Sequence, residues 1–170
     1  GTVSYVKGCN ALEDAKLLKK LVNPDQIDPR DNNKMISEAT DKAKKSDVII
    51  AILGEPANMS GEANSRSNID LPEPQQKLLR SLLATGKPLV LGLMNGRPLT
   101  IEWENNEVQA ILEAWHPGTE AGNALADVIF GKVNPSGKLT MTFPRNIGQI
   151  PIYYNHKNTG RPFDPVKDEK

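Results

Sequence analysis

Cysteine is almost missing. A single Cys9 in 170 residues forbids an internal disulfide and any thiolate metal cluster, and it leaves the redox compartment open. Histidine is nearly as scarce, and His116 and His156 stand too far apart in the chain to show metal-ligand spacing. No run of about 18 apolar residues occurs, so no segment reads as a membrane span. Charge of one sign is lacking as well: 21 Lys and Arg balance 21 Asp and Glu, and a formal net charge of zero gives neither nucleic acid nor an anionic membrane a global field to follow. There is no Walker A motif and no GxGxxG after an apolar run, so neither a nucleotide nor any other cofactor is implied. What remains is a lean globular composition, 38% hydrophobic and 5% aromatic, at the length of one domain. The chain opens on Gly1 with neither Met nor a charged-then-apolar leader, and is read as a piece of something longer.

Four apolar segments have strand length: residues 3–6, 48–53 (VIIAIL), 89–94 (LVLGLM) and 110–115 (AILEAW). The second and third are continuous rather than alternating, as strands covered on both faces are, and such cover is the habit of parallel sheets. Helical spacing fills the intervals. Met35, Ile36, Ala39 and Ala43 share one face; Leu78, Leu79, Leu82 and Leu83 share another between Pro74 and Gly86; Ala124, Leu125, Val128 and Ile129 share a third before Gly131, with Thr119 as a possible N-cap. The pattern predicts an α/β fold, an open and mainly parallel sheet with helices on both faces in a three-layer sandwich. Residues 139–143, after the turn NPSG, are expected to add a short strand near an edge. Residues 1–154 form the domain, and the charged, proline-bearing stretch 155–170 reads as a linker or tail.

In such sheets ligands bind beyond the carboxyl ends of the strands. Three loops there are rich in polar groups. The first, residues 54–74 (GEPANMSGEANSRSNIDLPEP), runs about twenty residues where roughly 2 to 6 suffice. It carries Glu55, Glu62 and Arg66, with small residues around Glu62 that let it reach a neighbouring surface. The second is NGRP at 95–98, and the third WHPGTEAG at 115–122. Glu55, directly after a strand, reads as a structural hydrogen-bond acceptor, and Arg66 and Arg97 as ties between loops. Trp115 reads as core or interface, and His116 has no Ser or Cys nucleophile to serve. Asn58-Met59-Ser60 matches a glycosylation sequon, a pattern short enough to be common by chance.

The ordered set VIIAILGE, SGEANSRSNIDLPEPQQKLL, TGKPLVLGLMNGRPL, ILEAWHPGTEAGNALADVIFGKVNPSGKLTMTFP and GQIPIYYNHKNTGRP resembles the C-terminal α/β-sandwich domain of family 3 glycoside hydrolases, over about residues 44–162. The closing motif resembles the periplasmic bacterial β-glucosidase branch, which implies an exported parent. The resemblance implies a preceding barrel domain that supplies an Asp nucleophile, with Glu62 of SGEANSR at the position of the general acid/base. Arg66 of the same motif is the candidate substrate-binding residue. The implied partner is a β-linked glucoside or xyloside held with the barrel; no metal, nucleic acid or membrane is implied.

Retaining hydrolysis needs two carboxyl groups about 5 to 5.5 Å apart, and a long loop can bring the second across a domain boundary. In the intact enzyme, desolvation and the nucleophile's charge would help that carboxyl keep its proton. The family domain opens with a strand of the IAVIGP type that has no counterpart here. A gap in the sheet is therefore expected, met by a displaced strand at 2–6 or by self-association through the exposed edge. A reading of another class is a non-catalytic module that takes a small polar ligand in the same crevice; such a module has no need of a carboxyl on a long loop.

Overall fold

Leucine at every second position of β2 (Leu89–Met94) points into a core in which Leu89, Leu91 and Leu93 are all but inaccessible. The structure, a computed structural model, describes residues 1–155 together with Lys157, Gly160 and Asp164. The rest of the expected 155–170 tail, and with it most of NHKNTGRP, lies outside the described residues. β2 pairs in parallel with β1 (Ile49–Gly54) on one side and with β3 (Ala110–Glu113) on the other, in the order β1-β2-β3. The three central apolar runs are thus neighbouring parallel strands, and the loops that follow them leave from one end.

Helices supply the cover. α2 (Asn32–Ala43) starts at Asp31, whose carboxylate accepts from the backbone of Asn33 and Lys34, and it buries Met35, Ile36, Ala39 and Ala43. α3 (Glu73–Leu83) follows Pro72 and buries Leu78, Leu79 and Leu82. Both faces match the helical spacing in the sequence, and both pack into one cluster with the strand leucines. At about 25 cal/mol per Å² of apolar surface, that shared cluster is the main favourable term in folding. α5 (Ala121–Ile129) forms where its pattern placed it, but Glu120 rather than Thr119 stands at its N-cap and none of its residues is buried.

Two helices have no counterpart in the sequence reading. α1 (Ala15–Leu21) is short, capped by Asp14, and buries Leu18. α4 (Glu102–Glu107) has no apolar period; it is held by the Arg80 guanidinium stacked 3.8 Å over the Trp103 ring and by the burial of Glu104.

Two expected strands are absent. Residues 3–6 form no strand, and Val3 and Tyr5 are 77% and 86% exposed. The displaced strand at 2–6 is therefore not formed. Residues 139–143 form no strand either; Leu139, Met141, Thr142 and Phe143 line a cavity of about 690 Å³ beside β3 instead of pairing with it. The reason is common to both. An apolar run becomes a strand only where a neighbour offers a ladder, and neither segment reaches one.

β1 is consequently an edge. Ile49 donates to the Pro88 carbonyl and Glu55 to that of Met94, so in a parallel ladder the intervening Ile50 and Ile52 direct their peptide groups away from β2. These two residues are 37% and 45% exposed. A slot of about 540 Å³ runs along this edge between residues 48–56 and 4–11. Gln75 is among the residues that line it, taking the Gly54 N–H and donating to the Gly54 carbonyl, each at 2.7 Å.

Glu104 makes the fold pH-sensitive. Burial, reinforced by the nearby Asp70 charge, raises its carboxyl above the ordinary range. The native state then holds this proton more tightly than the unfolded chain does. The group's contribution is whole below the unfolded carboxylate range and is lost as pH rises through the raised folded value. Glu104→Gln is expected to raise the melting temperature at pH 7, with the gain shrinking toward pH 4. A gain that grows on acidification would reverse the sign.

Candidate functional site

Glu55 follows β1 directly, and its carboxylate is fully buried at the carboxyl end of the sheet. Oε1 accepts from Arg66 Nη1 at 2.6 Å and lies 3.1 Å from Arg97 Nε. Oε2 faces Arg97 Nε at 3.3 Å and the Gly96 N–H at 3.4 Å. One carboxylate thus gathers two guanidinium groups and a peptide donor from two different loops. A carboxylate buried this deeply is tolerable only with such partners.

Each guanidinium also holds a carbonyl of the 54–74 loop. Arg97 Nη2 donates to the Met59 carbonyl, and Arg66 Nη2 to that of Asp70 at 3.0 Å. Met59 and Ile69 are buried, and the Thr100 N–H binds the Ile69 carbonyl at 3.1 Å. Both legs are therefore fixed while residues 61–65 between them are exposed.

Glu62 stands at that exposed tip. The tip is a tight turn, with the Asn64 N–H on the Gly61 carbonyl at 3.2 Å and the Asn64 amide on the Ser60 carbonyl at 3.3 Å. Ala63, next to Glu62, has φ 59°, a left-handed conformation that costs an L-residue about 1 kcal/mol or more. Ser60 Oγ and His116 Nε2 lie 3.5 Å apart across Gly96, which leaves no room for a Cβ between them. The loops that begin at Gly54, Asn95 and Trp115 thus converge.

The third loop has its own carboxylate. Glu113, at the end of β3, accepts from the Trp115 N–H at 2.9 Å and from the Asn95 amide at 3.4 Å, and burial pushes its carboxyl upward. Asn95 is wholly buried and also donates to the Arg97 carbonyl at 2.8 Å. Trp115, at φ 51°, packs its ring 5.7 Å from that of Phe143. Arg97 and Arg66 tie loops together as the sequence suggests, and Trp115 has an aromatic neighbour.

Arg66, the candidate substrate contact, gives Nη1 to Glu55 and Nη2 to Asp70; its side chain is 16% exposed. The structure does not join Glu62 and Arg66 to each other: one is at the tip, the other in the returning leg. The sequence reading missed that both arginines converge on Glu55. The available signal was a lone carboxylate at the end of a buried strand with two arginines in the loops that follow.

Cys9 is partly buried, and desolvation lifts its thiol to about 12, which fits a packing role rather than a nucleophile.

Comparison with known proteins bears on the family and the fold. The family model described as the glycosyl hydrolase family 3 C-terminal domain matches residues 2–169, a wider span than the motifs alone marked out. The chain is 52% identical to the periplasmic beta-glucosidase of Salmonella typhimurium over 99% of its own length and 22% of that protein. It is 45% identical to a beta-xylosidase of Formosa agariphila over 69% of this chain and 16% of that one. The crystal structure of a beta-glucosidase from Listeria innocua superimposes with a TM-score of 0.77 at 44% identity, over 83% of this chain and 20% of that one. This chain therefore spans about a fifth of the length of such relatives. A family model over nearly every residue, half-identity to a relative and the shared open parallel sheet lead to one conclusion: the chain belongs to glycosyl hydrolase family 3, whose C-terminal domain it matches.

Proposed function

We propose that this chain is the C-terminal domain of a retaining β-glycosidase and that Glu62 is its general acid/base. The observation that carries the reading is the position of Glu62: the solvent-facing tip of a long loop whose two legs are fixed to the carboxyl end of the sheet. A carboxyl so placed can enter a pocket on another domain without disturbing its own fold. The nucleophilic carboxylate comes from a barrel domain outside this chain, and the substrate is a β-linked glucoside or xyloside.

In the first step Glu62 protonates the departing glycosidic oxygen as the nucleophile attacks the anomeric carbon. In the second it takes a proton from water, which then displaces the enzyme carboxylate. No cofactor enters either step. Arg66 is the candidate sugar contact, through the N–H groups not already given to Glu55 and Asp70. The relative in Salmonella typhimurium is a periplasmic beta-glucosidase, which supports a periplasmic or secreted parent.

The isolated chain is expected to show no turnover of an aryl β-glucoside, because one of the two cooperating carboxylates is elsewhere. Turnover that co-purifies with it and disappears in Glu62→Ala would overturn this division of labour. Self-association through the open edge of β1 is the expectation for the chain alone, and light scattering showing a strict monomer would remove it.

A further inference from the structure

We propose that Glu55 is a positioning residue for Glu62, acting through Arg66 and Arg97 as a clamp on the two legs of the catalytic loop. The proposal rests on the reading of Glu62 as the acid/base, and it deepens that reading. Glu55 itself touches no reacting atom: its carboxylate is fully buried, while Glu62 is at the exposed tip.

The geometry points to positioning because of where the partners lead. The donors that meet the Glu55 carboxylate, the Arg66 and Arg97 guanidinium groups and the Gly96 N–H, belong to the loops at the carboxyl end of the sheet. The two guanidinium groups pass the constraint on. Arg97 grips the Met59 carbonyl before Glu62, and Arg66 grips the Asp70 carbonyl after it. Without the carboxylate, two cations with side chains only 16% and 20% exposed would repel one another, and each leg would lose its orienting donor.

A buried ion pair contributes little net stability compared with a well-packed apolar alternative. Its attested value lies in fixing one arrangement among several, and an acid/base group has to be held within a fraction of an ångström of its working position. Arginine suits the task because its planar fork can serve a carboxylate and a carbonyl at once, which a lysine ammonium cannot do in the same geometry.

The test uses two variants that keep the charge count, Glu55→Asp and Arg97→Lys, so that neither leaves an unpaired buried ion. In this chain, amide hydrogen exchange of residues 60–65 is expected to quicken while that of β1–β3 stays as in the parent sequence. In the full-length enzyme, turnover of an alkyl β-glucoside is expected to fall on the order of 10- to 100-fold at nearly unchanged KM. Release of an activated aryl group, which needs no proton, should change far less.

A merely structural Glu55 predicts otherwise: exchange quickens in the strands too, and both substrates lose activity together in proportion to the folded fraction. Unchanged loop exchange together with an unchanged ratio between the two substrates would also overturn the clamp. Failure of the underlying reading looks different again. In that case Glu62→Ala itself shows no dependence on the leaving group, while the exchange measurement on this chain still reports whether the clamp orders the loop.

Discussion

Glu62→Ala in the full-length enzyme is expected to lower turnover of an alkyl β-glucoside by about 10²- to 10⁴-fold, the usual contribution of a general acid/base group. The loss should depend on the leaving group. An alkoxide needs a proton as the bond breaks, whereas an activated phenolate departs without one. With the activated substrate, glycosylation survives and hydrolysis of the glycosyl-enzyme becomes slow, so a burst of phenolate should precede a low steady state. The fold should not suffer, because Glu62 is exposed at the loop tip and buries nothing. An equal loss for both substrates with no burst would remove Glu62 from proton transfer.

The second large effect is expected from Gly54→Ala. Gly54 ends β1 at φ 144°, a conformation that L side chains rarely adopt, and it is paired in register with Met94. An added Cβ would collide with the Met94 carbonyl oxygen and lie 2.6 Å from its carbon and 2.9 Å from its nitrogen. All three are backbone atoms of a central strand, so no rotamer change relieves the contact. Only separation of β1 from β2 does, and that would also loosen the Gln75 bridge and move Glu55 off its arginines. The sum of strain and overpacking is about 3 to 5 kcal/mol, a large share of a single domain's stability. Urea unfolding should show a much lower midpoint or no cooperative transition. A midpoint equal to that of the parent sequence would mean that the strands separate here at little cost.

The sheet was legible because its central members are apolar enough to declare themselves. LVLGLM at 89–94 is buried along nearly its whole length, and VIIAIL at 48–53 reads the same way in sequence. In the structure β1 alternates between buried and exposed positions, since Ile49, Ala51 and Leu53 pack into the helix-covered cluster while Ile50 and Ile52 face the other way, and what covers a strand face is not a local property. The same cause misled the reading of residues 3–6 and 139–143: their composition suits a strand, but pairing depends on a partner. α1 and α4 escaped notice for the opposite reason. Each is too short to show a period, and each is held by an individual device, the Asp14 cap or the Arg80–Trp103 stack.

At the candidate site, the loop and Glu62 stood out through loop length and motif. The convergence of Arg66 and Arg97 on Glu55 did not, because Arg97 comes from the next strand's loop and only the β1–β2 pairing brings it close.

Chemical rescue tests the central claim, that Glu62 is the acid/base, most directly. In the Glu62→Ala enzyme a small anionic nucleophile such as azide can enter the space left by the carboxylate and needs no base to activate it. Azide should therefore restore turnover of the activated glucoside and yield a β-glycosyl azide, the anomer that retention requires. Glu55→Ala should show neither the restored rate nor the azide product, since its carboxylate is buried among arginines. Rescue of Glu55→Ala and not of Glu62→Ala would mean that the wrong carboxylate on this loop has been assigned, and rescue of neither would place the acid/base outside it.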